Sequence, residues 1–412
     1  MRDLQLPLRR VAFALLWLTI FAIPWENVLT IEGVGTLSRI IGLGAAGAGL
    51  LAAVLGGGVR RPGPLLWTAT AFAAWNGLSL FWTIDAELSM LRVFTYAQLL
   101  LLVWLIGEHA PEPAAVRGLM LAYVLGASIS AANTVLNYRT GSETTYLRYA
   151  AFNFDSNDLG LILVLGVPLA WYLVLSDERR LVRWAAALYL PLASIGVLLT
   201  ASRGAFLAAV AAASIVAWTF WRLRHRARML VLGAVVASAV GAMVLVPETS
   251  WRRLSTIKTE VGAGTMNQRR EIWEAGAQAF PASSVLGVGA GAFRIAVEPR
   301  LGVQRAAHNA FVGILIEAGV VGFGVFCVML AAALALVSGM PPLERRLWIV
   351  LGAAWTIGVM SLSWEHRKPT WVMFGLLGAH AAAMRRAARH GARARVGAMP
   401  APVMAPHGGL PA

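Results

Sequence analysis

Twelve apolar stretches, each about twenty residues long, take up most of this chain, and they leave it one way to fold. A segment of that length in hydrocarbon must satisfy its own backbone N–H and C=O groups, so each is read as a membrane-crossing helix. They lie near residues 8–24, 38–56, 64–82, 88–106, 116–136, 158–175, 182–199, 204–221, 229–246, 308–337, 346–363 and 369–384. Only 13% of the 412 residues are charged, against about 25% in a soluble domain. The expected fold is an all-α integral membrane protein of about twelve transmembrane helices.

The net charge of +15 does not point to nucleic acid. The arginines cluster in short connections between apolar stretches, where they set topology. With the N-terminus cytoplasmic, most of them fall on the inner side, in pairs such as Arg9-Arg10, Arg60-Arg61, Arg179-Arg180 and Arg345-Arg346. This orientation makes both termini cytoplasmic. It divides the chain into helices over 1–246, one long outward loop over 247–307, three more helices over 308–384, and a cytoplasmic tail over 385–412. The tail is basic at first, reading as a topology anchor with contact to anionic lipid as the alternative. Beyond Arg395 it is rich in Pro, Gly and Ala, and disorder is expected. The single cysteine, Cys327, sits in an apolar run, so an intrachain disulfide and a cysteine metal cluster are excluded. Arg9-Arg10 followed by an apolar run resembles a signal peptide, but no small-residue cleavage site ends it, and it reads as the first anchor.

Chemistry therefore has few places to live. Of seven histidines, the topology leaves only His308 and His366 facing outward. His308 opens a helix at the membrane surface, where an imidazole can meet both a lipid-borne and an aqueous group; it is either a working base or a solvated helix end. Arg203, in the turn LTASRGAF, joins two apolar helices with almost no loop. A guanidinium there is costly unless it pairs inside the bundle or snorkels to headgroups. Arg269 and Arg270 begin the segment RREIWEAGAQAF, whose residues Ile272, Trp273, Gly276 and Phe280 share one helical face, with Thr265 or Asn267 as the cap. Two arginines oppose the helix dipole in a first turn. Either an anion sits between them and the free N–H groups, or both are simply solvated. Three other features weigh less. GVGAGAF at 287–293 lacks the strand-helix-strand context of a dinucleotide site. Asp85 and Glu87 read as helix capping rather than a metal pair. Glu317, the one acid deep in an apolar stretch, is about 180° round the helix from His308, so it is not expected to orient that ring.

Taken in order, SRGAF at 202–206, RREIW with the later GVGAGAF, and HNAFVGILIEAGVVG at 308–322 resemble the O-antigen ligase and polymerase superfamily of bacterial envelope glycosyltransferases. The likeness covers about 120 residues, with AFNFDSND at 151–158 a looser match. The resemblance implies a GT-C-like fold and transfer of a glycan from an undecaprenyl-diphosphate donor, without metal or other cofactor, at the periplasmic face of the inner membrane. It assigns the diphosphate to Arg203 and Arg269 with Arg270 as a third, and makes His308 the general base of an inverting transfer. Asn309, Trp273, Arg92 and His366 are carried as supporting residues. The short tail argues against a protein-glycosylating branch. A ligase, with lipid A-core as acceptor, is expected over a polymerase that extends a second lipid-linked repeat. A lipid-linked oligosaccharide transporter is the alternative of a different class, and there polar groups belong near the midplane rather than at one face.

Overall fold

The computed structural model describes residues 2–31, 35–56, 59–141, 148–257 and 268–397, and each of the twelve apolar stretches is a helix in it. They are α1 (Arg2–Ala22), α2 (Leu37–Leu55), α3 (Pro64–Leu78), α4 (Ala86–His109), α5 (Pro113–Arg139), α6 (Ser156–Ser176), α7 (Arg180–Leu199), α8 (Arg203–Phe220) and α9 (His225–Leu245). Three short helices follow, α10 (Glu248–Ser255), α11 (Arg269–Ala279) and α12 (Phe293–Leu301). The chain then returns through α13 (Ala310–Ser338), α14 (Pro342–Val359) and α15 (Lys368–Gly397). Among the described residues nine helices are long and apolar enough to cross a membrane: α1, α2, α4 to α9, and α13. Of the other three, α3 has only 15 residues, α14 carries Glu344, Arg345 and Arg346 near its start, and α15 ends in a run of arginines.

The protein is thus an all-α membrane protein built around α6. That helix is apolar all round and buried along most of its length, packed on α5, α7, α8 and α14. By contrast α9 packs chiefly on α7 and shows most of its side chains outward. Helix α15 runs well past the expected span end at 384, because the Ala- and Arg-rich stretch after it is a good helix former. The expected caps Thr265 and Asn267, and the expected disorder beyond residue 397, lie outside the described residues.

One helix is broken, and the break explains the glycine-rich motif. Within α13 the backbone at Gly319 takes φ 67° and ψ −174°, a conformation essentially reserved for glycine. A break inside a membrane strands backbone groups that have no water to turn to. Here other residues meet them. The carbonyls of Ile316 and Glu317 accept from Val288 N and Gly289 N, each at 3.0 Å, and that of Ala318 accepts from the Trp75 indole at 2.8 Å. Past the break, Val320 N and Val321 N donate to the carbonyls of Ser284 and Val285 at 2.9 and 3.3 Å. The strand-like approach is close: a Cβ at Gly287 would stand 2.2 Å from the Glu317 carbonyl oxygen. The GVGAGAF segment is therefore a clamp on a broken helix.

Candidate active site

Four helices that start on one face of the bundle are each capped by a side chain. Asp85 accepts from Leu88 N, Asp155 from Asn157 N and Asp158 N, Ser202 from Ala205 N, and Asn309 from Phe311 N and Val312 N. Asp85 thus acts as the helix cap expected for it. The same face carries α10 to α12, and the candidate site is assembled there.

His308 ends the long loop immediately before α13. Its backbone is left-handed (φ 47°), an unusual conformation for a residue with a side chain. Neighbours hold it on both sides: Asn309 caps α13, and the indole of Trp273 donates to the carbonyl of Ala307 at 2.8 Å. Trp273 belongs to α11, which is amphipathic as expected and buries Ile272, Ala275, Gly276 and Ala279. Arg269 lies one turn before Trp273 and is half-buried on the same side. Arg270, one position on, points into solvent and pairs with Glu274 at 3.2 Å, so it stands apart from the cluster. The N-cap position of α11 is Gln268, in left-handed conformation, and its side chain does not cap the helix.

Arg203, the first residue of α8, is anchored from its Nε to the carbonyl of Arg253 in α10 at 3.2 Å. Its neighbour Ser202 donates to Asn157 Oδ1 at 3.0 Å. Arg148 completes this wall: its Nε donates to the carbonyl of Thr200 at 2.9 Å and its Nη2 to Asn157 Oδ1 at 2.8 Å. Four guanidiniums, of Arg148, Arg203, Arg253 and Arg269, thereby crowd one region with Asp155 as the acid among them. The electrostatic cost is visible. Burial, then the charge of Arg253, pulls the Arg148 pKa down to about 10, which leaves it charged at neutral pH. Burial likewise lowers Arg269, with Asp155 opposing and Arg203 adding to the effect. Such crowding is what an anion would relieve.

His308 stands in the same field. Its pKa lies below the ordinary histidine value, first because surrounding protein excludes water, then because of Arg269, while Asp155 and Asp158 pull the other way. The residue nonetheless keeps an exposed surface, so its imidazole faces solvent beside the cationic cluster. Chemically this set can hold a multiply charged anion and accept a proton beside it.

Asp158 links the pocket to a second polar network. It accepts from Trp364 Nε1 at 2.9 Å and from Arg367 Nη2 at 3.2 Å, both in the turn between α14 and α15. In that turn Glu365 bonds His366 Nδ1 at 2.8 Å and Arg92 Nη1 at 3.1 Å, and Arg92 also reaches Glu317 at 3.4 Å. The Glu317 carboxylate accepts from Gly291 N and Phe293 N at 2.9 and 3.4 Å. As expected, Glu317 does not serve His308. Arg92 and His366 likewise belong to this internal brace, and burial, then Arg92, lowers the His366 pKa against the pull of Glu365.

Sequence reading missed Arg148, Arg253, Asp155 and Asp158. A usable signal was present for Arg148: it is an arginine on the face that the charge rule leaves poor in cations. A family model described as O-antigen ligase matches residues 188–327, a stretch that contains Arg203, Arg269 and His308. No curated protein matches the chain.

Proposed function

We propose, on the premise of the match of residues 188–327 to the O-antigen ligase family, that the chain transfers O-antigen glycan from undecaprenyl diphosphate to lipid A-core at the periplasmic face of the inner membrane. The acceptor hydroxyl oxygen attacks the anomeric carbon, a new glycosidic bond forms, and the bond to the diphosphate oxygen breaks with inversion. The leaving diphosphate takes the electron pair, and His308 takes the hydroxyl proton. Diphosphate is already a competent leaving group, so the demand on the protein is charge neutralisation and one proton acceptor. Arg203 and Arg269 supply the positive charge where other glycosyl transfers use a divalent cation, and Arg148 and Arg253 reinforce it.

One observation carries this reading. Arg203, Arg269 and His308 lie far apart in the chain, yet they gather at one end of the bundle around Asp155. That placement also favours interfacial chemistry over transport, in which ionisable groups line a midplane path. The test incubates purified protein with undecaprenyl-diphosphate glycan and, separately, lipid A-core or a second lipid-linked repeat. Glycan on lipid A-core that requires His308 supports the proposal. Chain extension of the lipid-linked repeat alone makes the protein a polymerase, and transfer retained in His308→Ala removes the histidine base.

A further inference from the structure

The opposite end of the bundle carries a cavity of about 170 Å³ where α3 begins, α4 and α13 end, and the middle of α15 passes. It lies the length of α13 away from His308, about 40 Å at 1.5 Å per residue. Arg60, Arg61, Arg385 and Arg386 stand at it, with Glu108 as the acid among its lining residues. That carboxylate is already engaged, accepting from Arg60 N at 2.8 Å and facing Arg60 Nε at 3.7 Å. Arg386 donates twice to the carbonyl of Pro111, at 3.1 and 2.7 Å. Among the described residues Arg61 and Arg385 have no hydrogen-bond or ion-pair partner. Helix α3 starts here at Gly63 without a side-chain cap, which adds the positive end of its dipole.

The cavity shares lining residues with a neighbouring groove. Through Pro62, Leu66 and Trp104 it continues into an apolar groove of about 240 Å³ between α3 and α4, flanked by Trp67, Leu100 and Leu101 on the lipid-facing surface. Leu66 and Thr70 are one turn apart on α3, and Leu100 and Trp104 one turn apart on α4, so the groove runs along the helices toward the membrane interior. Space is available at the junction: a Cβ at Gly63 or Gly107 would meet nothing within 4 Å. A cationic pocket at the membrane surface that opens into an apolar groove matches a ligand with an anionic head and a hydrocarbon tail.

We propose that this cavity and groove bind an anionic phospholipid, its phosphate between Arg61 and Arg385 and one acyl chain between α3 and α4. A positive surface would attract such lipids diffusely; the joined cavity makes a defined site with its own selectivity.

Native mass spectrometry of the full chain, titrated with phosphatidylglycerol and with phosphatidylcholine of the same chains, tests this. Two arginines near a membrane surface correspond to a preference of about 30-fold for the anionic lipid. The Arg61→Ala/Arg385→Ala protein should lose that preference. Gly107→Leu keeps every arginine but fills the junction, and should weaken lipid binding without affecting soluble glycerol phosphate. Equal affinity for the two lipids in the unmodified protein overturns the proposal, as does an unchanged preference in the double variant. Competition by glycerol phosphate as effective as that of the lipid would show a plain phosphate site and would equally overturn it.

Discussion

Replacing Gly319 by alanine tests the account of the broken helix. The new Cβ would stand 2.3 Å from the Val285 carbonyl oxygen and 2.6 Å from Gly287 N. Both are backbone atoms that cannot swing aside. Holding alanine at φ 67° and ψ −174° costs about 1–3 kcal/mol by itself. Relieving the clash means drawing the clamp away from α13, which weakens some of the four backbone bonds between 284–289 and 316–321, each worth about 0.5–1.5 kcal/mol net. A loss of about 3–6 kcal/mol follows. The control is Gly324→Ala in the same helix, where a Cβ meets nothing within 4 Å; alanine there gains up to about 1 kcal/mol of helix propensity. Thermal unfolding of the two purified variants in one detergent compares them directly. If Gly319→Ala unfolds no earlier than Gly324→Ala, the break is not held as described.

Four further outcomes are expected. His308→Ala should lower the transfer rate by about 10²–10⁴ while donor binding persists, as read by single-turnover kinetics and lipid-diphosphate binding. Because a base works only when neutral and the His308 pKa is depressed, the acid limb of the rate profile should fall below about pH 6.5. Removing the like charge in Arg269→Ala should move that limb to higher pH, measured at saturating donor. Arg203→Ala and Arg269→Ala should each weaken donor use by about 1.5–3 kcal/mol, whereas Arg270→Ala, whose exposed partner is Glu274, should stay within about 0.5 kcal/mol. Asp85→Ala should cost about 1 kcal/mol of stability and leave transfer insensitive to EDTA; loss of activity restored by Mg²⁺ would return that acid to a metal role.

The helices were legible in the sequence because hydrocarbon imposes a length and forbids alternatives. Arg203, Trp273 and His308 were legible because each breaks a local rule or keeps a helical phase. Arg269 and Arg270 differ by 100° of that phase, and the Glu274 four residues after Arg270 already marked which one faces water. What could not be read were pairings across the fold. Arg92 and Glu317 lie 225 residues apart, and nothing local says that two isolated charges in apolar helices answer each other. Asp155 caps its own helix, and only the arrival of arginines from three other segments gives it a second duty. The glycines of 287–291 were rejected as a nucleotide site, but their true partner was a kink that periodicity cannot reveal.

The clamp on α13 also has an order of assembly built into it. Residues 284–289 precede the break by only about thirty positions, and they lie on the side that α13 enters first from the loop. As the chain emerges, the donors and acceptors for the interrupted backbone are already made when Gly319 reaches the membrane. The loop to be closed is short, so its entropic penalty is small. A helix that would be hazardous to insert alone thus arrives with its repair upstream, and exchanging the chain order of the two segments would remove that protection while leaving every native contact in principle available.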